Sequence, residues 1–209
     1  MHKPTIADYL RALRELRELA LLLKKWVTSL LISRNAGMSF NFARDSNALL
    51  AVLDIYHSHM AQLLSLNPNE VRVNLMLLVG TGQGYGLRIC LTNSKGSYSE
   101  QERRLIWDKG KGCCGRAWDE KSPLIADNQK WLEAEALPKE HAEATKNVHW
   151  VASLPIWDQR KQKFWGVLNV DTLVPLSNFP TEDWLEIATL YMRLLTHLCS
   201  SLRLFSLKE

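Results

Sequence analysis

The sequence predicts an α+β fold built on an antiparallel sheet, and three patterns lead to that prediction. Residues 71–80 begin with side chains that alternate in direction, a glycine-containing turn follows at 81–84, and residues 85–92 form the return strand of a β-hairpin. Residues 150–157 and 164–172 form a second such pair, joined by a polar turn. Helical periodicity occupies both ends of the chain. Antiparallel strands between terminal helices favour a sheet with those helices packed on one face.

The first predicted helix, residues 5–31, is amphipathic. Its apolar residues recur at alternating spacings of four and three: Tyr9, Leu13, Leu16, Ala20, Leu23, Val27 and Leu30. This is a heptad pattern, and further leucines widen the apolar stripe beyond a two-stranded seam. We interpret residues 1–45 as a dimerisation helix with its linker, and residues 46–209 as the main domain. Docking of the helix onto its own monomer is the alternative.

Local capping and turn signals place the remaining elements. They predict a helix over residues 46–64 capped by Ser46 or Asn47, a strand over 102–108, a strand over 123–126, a helix-prone polar segment over 129–147, and a final helix over 182–204 capped by Thr181.

Composition and charge exclude several classes of protein. With 209 residues, 46% of them hydrophobic, the chain can bury a full core. The formal net charge of +4 arises in residues 1–34, which hold seven Lys/Arg and three Asp/Glu. Such a local excess is more typical of a solvated helix face than of a nucleic-acid-binding stripe, so nucleic acid is not a predicted partner. Weak contact of this face with nucleic acid or an anionic membrane stays open.

Cysteine usage and the first apolar run bear on location. Lys24 and Lys25 interrupt that run, so neither a signal peptide nor a transmembrane segment is predicted. The four cysteines form no Cys-x-x-Cys pair, and a reducing cytoplasm is the expected location. The histidines lack the spacing of metal ligands, and no metal or cofactor is predicted.

Residues 109–127 are the most informative stretch. Gly110, Gly112 and Gly115 mark a tight turn that opens a short helix, and an apolar strand follows. A helix N-terminus presents unpaired backbone N–H groups, and Cys113 and Cys114 lie at that opening. Because a helix dipole favours a thiolate, the stretch indicates either a small-ligand pocket or a reactive thiol.

Three segments occur together in an informative order: Gly112-Cys113-Cys114-Gly115-Arg116-Ala117 with Pro123-Leu124-Ile125-Ala126-Asp127, then Ala152-Ser153-Leu154-Pro155-Ile156, then Trp165-Gly166-Val167-Leu168-Asn169-Val170-Asp171 before Asn178-Phe179. On these segments residues 46–205 resemble a GAF domain, the small sensory module of phosphodiesterases, phytochromes and many bacterial regulators. The resemblance implies a six-stranded antiparallel sheet with a ligand cavity between its concave face and the glycine stretch. It also implies dimerisation through N- and C-terminal helices.

One GAF subfamily reduces free methionine sulfoxide and has a similar Gly-x-Cys-Gly turn. The resemblance places Cys114 on the cysteine of that turn and Asp171 on a substrate-binding aspartate. Asn169 replaces the other aspartate, and residues 127–150 contain no cysteine, although that loop supplies the essential thiol of these enzymes. Thiol reduction needs a nucleophile and a resolving partner, and the expected partner is missing.

The predicted ligand site combines tryptophans with a few polar residues. Aromatic walls with scattered polar groups suit a planar small molecule, although the rings could equally fill the cavity. The predicted ligand-binding residues are Trp107, Cys113, Cys114, Arg116, Trp118, Asp127, Trp150, Trp165 and Asp171.

These observations predict a cytoplasmic, non-catalytic, GAF-like sensory protein. It would be a homodimer that binds an unknown small molecule and acts in trans on a downstream protein partner. Two alternatives stay open. One is a divergent thiol-dependent reductase of a small oxidised metabolite, using Cys114 with Cys113 or Cys90. The other is a scaffold whose cavity is filled.

Overall fold

The structure of the chain is a computed structural model. The structure describes residues 42–82, 84–93, 98–128, 130, 137–158, 162–201 and 207–208. The chain divides into two compact units, residues 1–48 and 49–209, and the contacts reported below lie within the second. The predicted helix over residues 5–31 lies outside the described residues. Within them, no helix is long and apolar enough to cross a membrane.

An antiparallel sheet forms the centre of the second unit. Its strands are β1 (Val71–Thr81), β2 (Gly84–Thr92), β3 (Leu124–Asp127), β4 (Trp150–Asp158), β5 (Lys163–Thr172) and the two-residue β6 (Leu207–Lys208). The main path has five strands in the order β2-β1-β5-β4-β3, and β6 pairs with the beginning of β5. The two predicted hairpins are confirmed as β1–β2 and β4–β5. The α+β class is therefore correct.

The strand predicted over residues 102–108 is wrong. A short helix, α2 (Glu100–Arg104), occupies most of this range. Its start is a capping box: the Ser99 hydroxyl accepts from the Glu102 N–H, and the Glu102 carboxylate accepts from the Ser99 N–H. Beyond the helix, Trp107 joins the sheet through a single bridge to Leu87. The apolar run 105–107 imitated a strand, while the Ser-x-x-Glu signal that begins a helix was overlooked.

The other helices follow the sequence signals more closely. They are α1 (Phe42–Leu63), α3 (Gly112–Glu120), α4 (Lys139–Thr145) and α5 (Thr181–Ser201). Two predicted caps are wrong. Helix α1 already begins at Phe42, upstream of Ser46 and Asn47, and Thr181 is the first residue of α5 rather than its cap. The turn, short helix and strand predicted in residues 109–127 are confirmed by α3 and β3.

Helices α1 and α5 are joined by buried aromatic residues. The Trp184 indole N–H donates to the Tyr56 hydroxyl at 2.8 Å, and the rings of Tyr56 and Tyr191 lie 4.7 Å apart. Helix α5 packs on β4 and β5, whereas α3 packs on β3, β4 and β5 through Cys114 and Trp118. The sheet is thus linked to helices that are held to each other.

Candidate functional site

A cavity of about 70 Å³ lies beside the first half of β1. Its floor comes from β1 and β5, one wall from the beginning of α3, and another from residues 98–107. Four residues between 128 and 148, one from β2 and one from β4 also line it: Asn128, Leu137, Thr145, Val148, Ile89 and Val151. A cavity of this size suits a molecule of a few heavy atoms, since a water molecule occupies about 30 Å³ of liquid and needs about 10–15 Å³ of such space.

Cross-strand register builds the floor. In the β1–β5 ladder Arg72 lies opposite Asp171, and Asn74 lies opposite Asn169. Side chains two apart on a strand share a face, so all four point to the same side of the sheet and line the cavity. All four are buried. Two strands that are distant in sequence therefore supply one polar surface.

Arg72 is the centre of the charged part. Its Nη2 lies 3.3 Å from Asp171 Oδ2 and its Nη1 lies 2.9 Å from Glu102 Oε1. The guanidinium carbon also sits 4.2 Å from the centre of the Tyr98 ring. Burial alone would lower the pKa of Arg72, but Asp171, Tyr98 and Glu102 outweigh it and raise that pKa, so the guanidinium stays charged.

A chain of hydrogen bonds extends from this charged part across three strands. Ser153 Oγ donates to Asn169 Oδ1 at 2.6 Å, and Asn169 Nδ2 donates to Asn74 Oδ1 at 3.0 Å. Asn74 Nδ2 then donates to the Tyr98 hydroxyl, which donates to Asp171 Oδ2, both at 2.9 Å. Buried polar groups linked in this way rigidify a site because each fixes its neighbour's orientation.

The carboxyl group of Asp171, at the end of this series of hydrogen bonds, has a raised pKa. Burial raises the pKa of Asp171, and the neighbouring Arg72 and Tyr98 only partly oppose that shift. Burial also raises the pKa of Tyr98 well above its usual value, so its phenol stays protonated. The site therefore holds a carboxyl group that protonates more readily than an exposed aspartate.

Comparison with solved structures identifies the architecture. A protein from Burkholderia vietnamiensis described as a GAF sensor matches with a TM-score of 0.51 at 18% identity, covering 90% of this chain and 98% of its own. Free methionine-R-sulfoxide reductase from Neisseria meningitidis, solved with its substrate, matches with a TM-score of 0.51 at 17% identity, covering 74% of this chain and 79% of its own. The fold is that of a GAF domain. No protein-family model and no curated protein sequence matches the chain. At these identities the likeness shows the fold alone.

Burial disfavours the thiolate form of the two cysteines at the start of α3. Cys113 and Cys114 lie in the first turn of α3, and both are buried. Burial raises the pKa of Cys113 to about 12 and the pKa of Cys114 well above its usual value. Burial therefore opposes the thiolate that the helix N-terminus would favour, because a helix dipole contributes about 0.3–1 kcal/mol, less than the desolvation of a buried thiolate costs. Cys90 is half-buried on β2 at the register shift between β1 and β2, and it is not among the described residues that line the cavity.

Four of the nine predicted ligand-binding residues line the cavity: Trp107, Cys113, Cys114 and Asp171. The ring of Trp107 packs so closely on Gly112 that a side chain at this glycine would collide with it. Gly112 also has a φ of +60°, which favours glycine. The glycine turn and Trp107 thus form one wall together.

The other five predicted residues lie elsewhere. Arg116 pairs with Glu120 on α3 at 3.2 Å, and Asp127 pairs with Lys130 at 3.2 Å. The three tryptophans are packed away from the cavity lining: Trp118 stacks on Phe164, Trp150 packs on Phe179, and Trp165 is buried in the core.

Sequence reasoning missed most of the polar lining. Alternation predicts Arg72 and Asn74 only as the polar half of a strand, and no functional motif in the sequence includes Tyr98 or Glu102. One signal could have found the first pair: two polar residues at alternate positions in β1, matched by Asn169 and Asp171 in β5. In the described parts of the chain, no group of three or more His, Cys, Asp or Glu residues could hold a metal ion.

Proposed function

We propose that the protein is a non-catalytic regulatory GAF protein that binds a small ligand in the cavity. The observation that carries this proposal is the polar floor. Arg72, Asn74, Asn169 and Asp171 are buried, hydrogen-bonded to one another, and open onto a cavity of about 70 Å³ rather than onto packed side chains. Buried polar groups that converge on a concave space are typical of ligand sites.

The state of the thiols favours binding over catalysis. A thiol-dependent reductase needs an accessible thiolate, and the raised pKa values of Cys113 and Cys114 oppose one. Cys113 Sγ lies 3.6 Å from the carbonyl oxygens of Leu124 and Val151, which act as acceptors for a protonated thiol. These cysteines act in the proposal as small apolar parts of the wall.

A route from the cavity to the helices supports a signalling role. A ligand on the floor contacts β1 and β5, and α5 packs on β4 and β5. Helix α1 is held to α5 by the hydrogen bond between Tyr56 and Trp184. Binding that favours one sheet geometry would therefore favour one helix arrangement. We propose that residues 5–31 and α5 form a homodimer in the cytoplasm, and that this dimer acts on a downstream protein partner.

Native mass spectrometry of the protein as purified from cells tests the ligand and the dimer together. A dimer that carries a discrete non-covalent mass is the expected result. The variant Val151→Phe enlarges a side chain that lines the cavity and should remove the extra mass. Val79→Phe is the matched control, because Val79 is half-buried on β1 outside the cavity lining. A monomer, or an extra mass that survives Val151→Phe, contradicts the proposal.

A further inference from the structure

In the part of the chain that the structure describes, the charges that line the cavity do not balance. Among the described residues, six titratable side chains line it: Arg72, Tyr98, Glu102, Cys113, Cys114 and Asp171. Burial keeps the phenol and both thiols protonated and neutral. One guanidinium therefore faces two carboxylates, and both carboxylates already bind that same guanidinium.

The beginning of α3 also borders the cavity and adds positive charge. A helix N-terminus carries about half of an elementary charge, so it reduces the negative excess without cancelling it. An excess buried charge is costly unless a proton or a cation neutralises it. The charge balance of the cavity thus favours a cationic occupant.

One carboxylate oxygen is available for such an occupant. Both oxygens of Glu102 are engaged, Oε1 by Arg72 and Oε2 by the N–H of Ser99. The bonds to Asp171 from Arg72 and Tyr98 both fall on Oδ2. No residue that the structure describes donates a hydrogen bond to Asp171 Oδ1, although Asp171 is 94% buried and lines the cavity.

The cavity changes from polar to apolar along the strand pair. The register runs from Arg72 opposite Asp171 to Met76 opposite Val167. Four residues of strand separate Arg72 from Met76, a distance of roughly 13 Å. Met76 lines the cavity and belongs to the apolar cluster beyond it, and the indole of Trp107 packs beside that cluster. An occupant at Asp171 therefore meets apolar surface at its other end.

We propose that the ligand is a small organic cation: a protonated primary amine on a short apolar stem. Its ammonium group donates to Asp171 Oδ1, and its stem points toward Met76 and Trp107. This inference rests on the proposed function and names the ligand class of the same site. A small organic anion would face two carboxylates. An inorganic cation would exchange its hydration shell for a single free carboxylate oxygen, which is too few ligands.

The ammonium group competes with a proton for Asp171. It binds the ionised carboxylate, and burial raises the pKa of that group. Affinity should therefore increase with pH, by up to tenfold per pH unit, until Asp171 is fully ionised.

Isothermal titration calorimetry at pH 8 with n-propylammonium chloride, sodium propionate and potassium chloride at equal ionic strength tests the proposal. Binding of propylammonium alone is expected, weakening as the pH is lowered. Asp171→Asn should weaken it at least tenfold, whereas Glu100→Gln, at an exposed carboxylate paired with Arg104, should leave it unchanged. Binding of propionate or potassium in preference to propylammonium overturns the proposal, as does affinity independent of pH in the wild-type protein. The pH series needs no variant, so it decides the question even where Asp171→Asn does not fold.

The experiments distinguish failure of the proposed ligand class from failure of ligand binding itself. If no probe cation binds while the purified protein still carries a mass that Val151→Phe removes, the cation class is wrong and ligand binding stands. If no probe binds and the purified protein carries no such mass, both the cation class and the proposed ligand binding are wrong.

Discussion

The face of the sheet that carries the cavity has two halves with opposite chemistry, although β1 and β5 contribute to both. The polar half consists of Arg72, Asn74, Asn169 and Asp171, which are joined by hydrogen bonds. The apolar half is a packed cluster under α3: Met76, Leu78, Leu87, Cys114, Trp118, Trp157, Phe164 and Val167. Both halves are buried, but the cavity lies mainly over the polar half and reaches the apolar half only at Met76 and Cys114.

The difference follows from the geometry of the two kinds of contact. Apolar side chains gain from every atom they touch, so they fill the available space. Hydrogen bonds are directional, and side chains that satisfy one another along the sheet gain less by filling the volume above them. The apolar half therefore anchors α3, and the polar half leaves room for an occupant. Three changes test this division, in order of expected effect.

The largest effect is expected beside the apolar half, from Gly166→Ala, at the residue that precedes Val167 on β5. A Cβ at Gly166 would collide with the backbone carbonyl of Met76 on the neighbouring strand. Relieving this collision would require one of the two paired strands to move, which would disturb their hydrogen bonds. We expect a loss of more than about 3 kcal/mol of unfolding free energy, measured by urea denaturation, or failure to fold. Gly80→Ala is the control, since a Cβ there has nothing within 4 Å. Similar stabilities for the two variants would show that the strand contact is looser than the structure indicates.

An intermediate effect is expected in the polar half, from Asn169→Ala. The change removes the acceptor of Ser153 Oγ and the donor to Asn74 Oδ1, leaving two buried groups without these partners. The expected cost is about 1–3 kcal/mol of unfolding free energy. Asn178→Ala, at an exposed loop position, should change stability by no more than about 0.5 kcal/mol. If Asn169→Ala is as mild as Asn178→Ala, the hydrogen-bond chain does not stabilise the polar half.

The smallest effect is a pH dependence that belongs to Asp171. Its pKa is raised in the folded protein, so the folded state binds the proton more tightly than the unfolded state does. Its contribution is fully present below the unfolded pKa of about 3.9 and is lost as the pH rises through the folded pKa. Urea denaturation between pH 4 and pH 8 should show this loss in the wild-type protein and in Glu100→Gln, but not in Asp171→Asn. Parallel curves for all three proteins would show that burial does not raise this pKa.

Local patterns predicted the scaffold well. A glycine-containing turn marked the first hairpin, a polar turn marked the second, and the glycine stretch marked the short helix α3, because these signals act over a few residues. The strand predicted over 102–108 failed for a local reason as well. An apolar triplet was weighted above the capping box at Ser99 and Glu102.

The sequence by itself determined the α+β class, the positions of the hairpins and the resemblance to a GAF domain. Only the tertiary structure decided which residues meet in the cavity. Arg72 and Asp171 are 99 positions apart and become neighbours through the register of β1 with β5. Tertiary packing also directed Trp107 into the cavity wall and Trp118 onto Phe164. Secondary structure depends on near neighbours in the chain, whereas a binding site depends on the pairing of distant strands, which no single segment encodes.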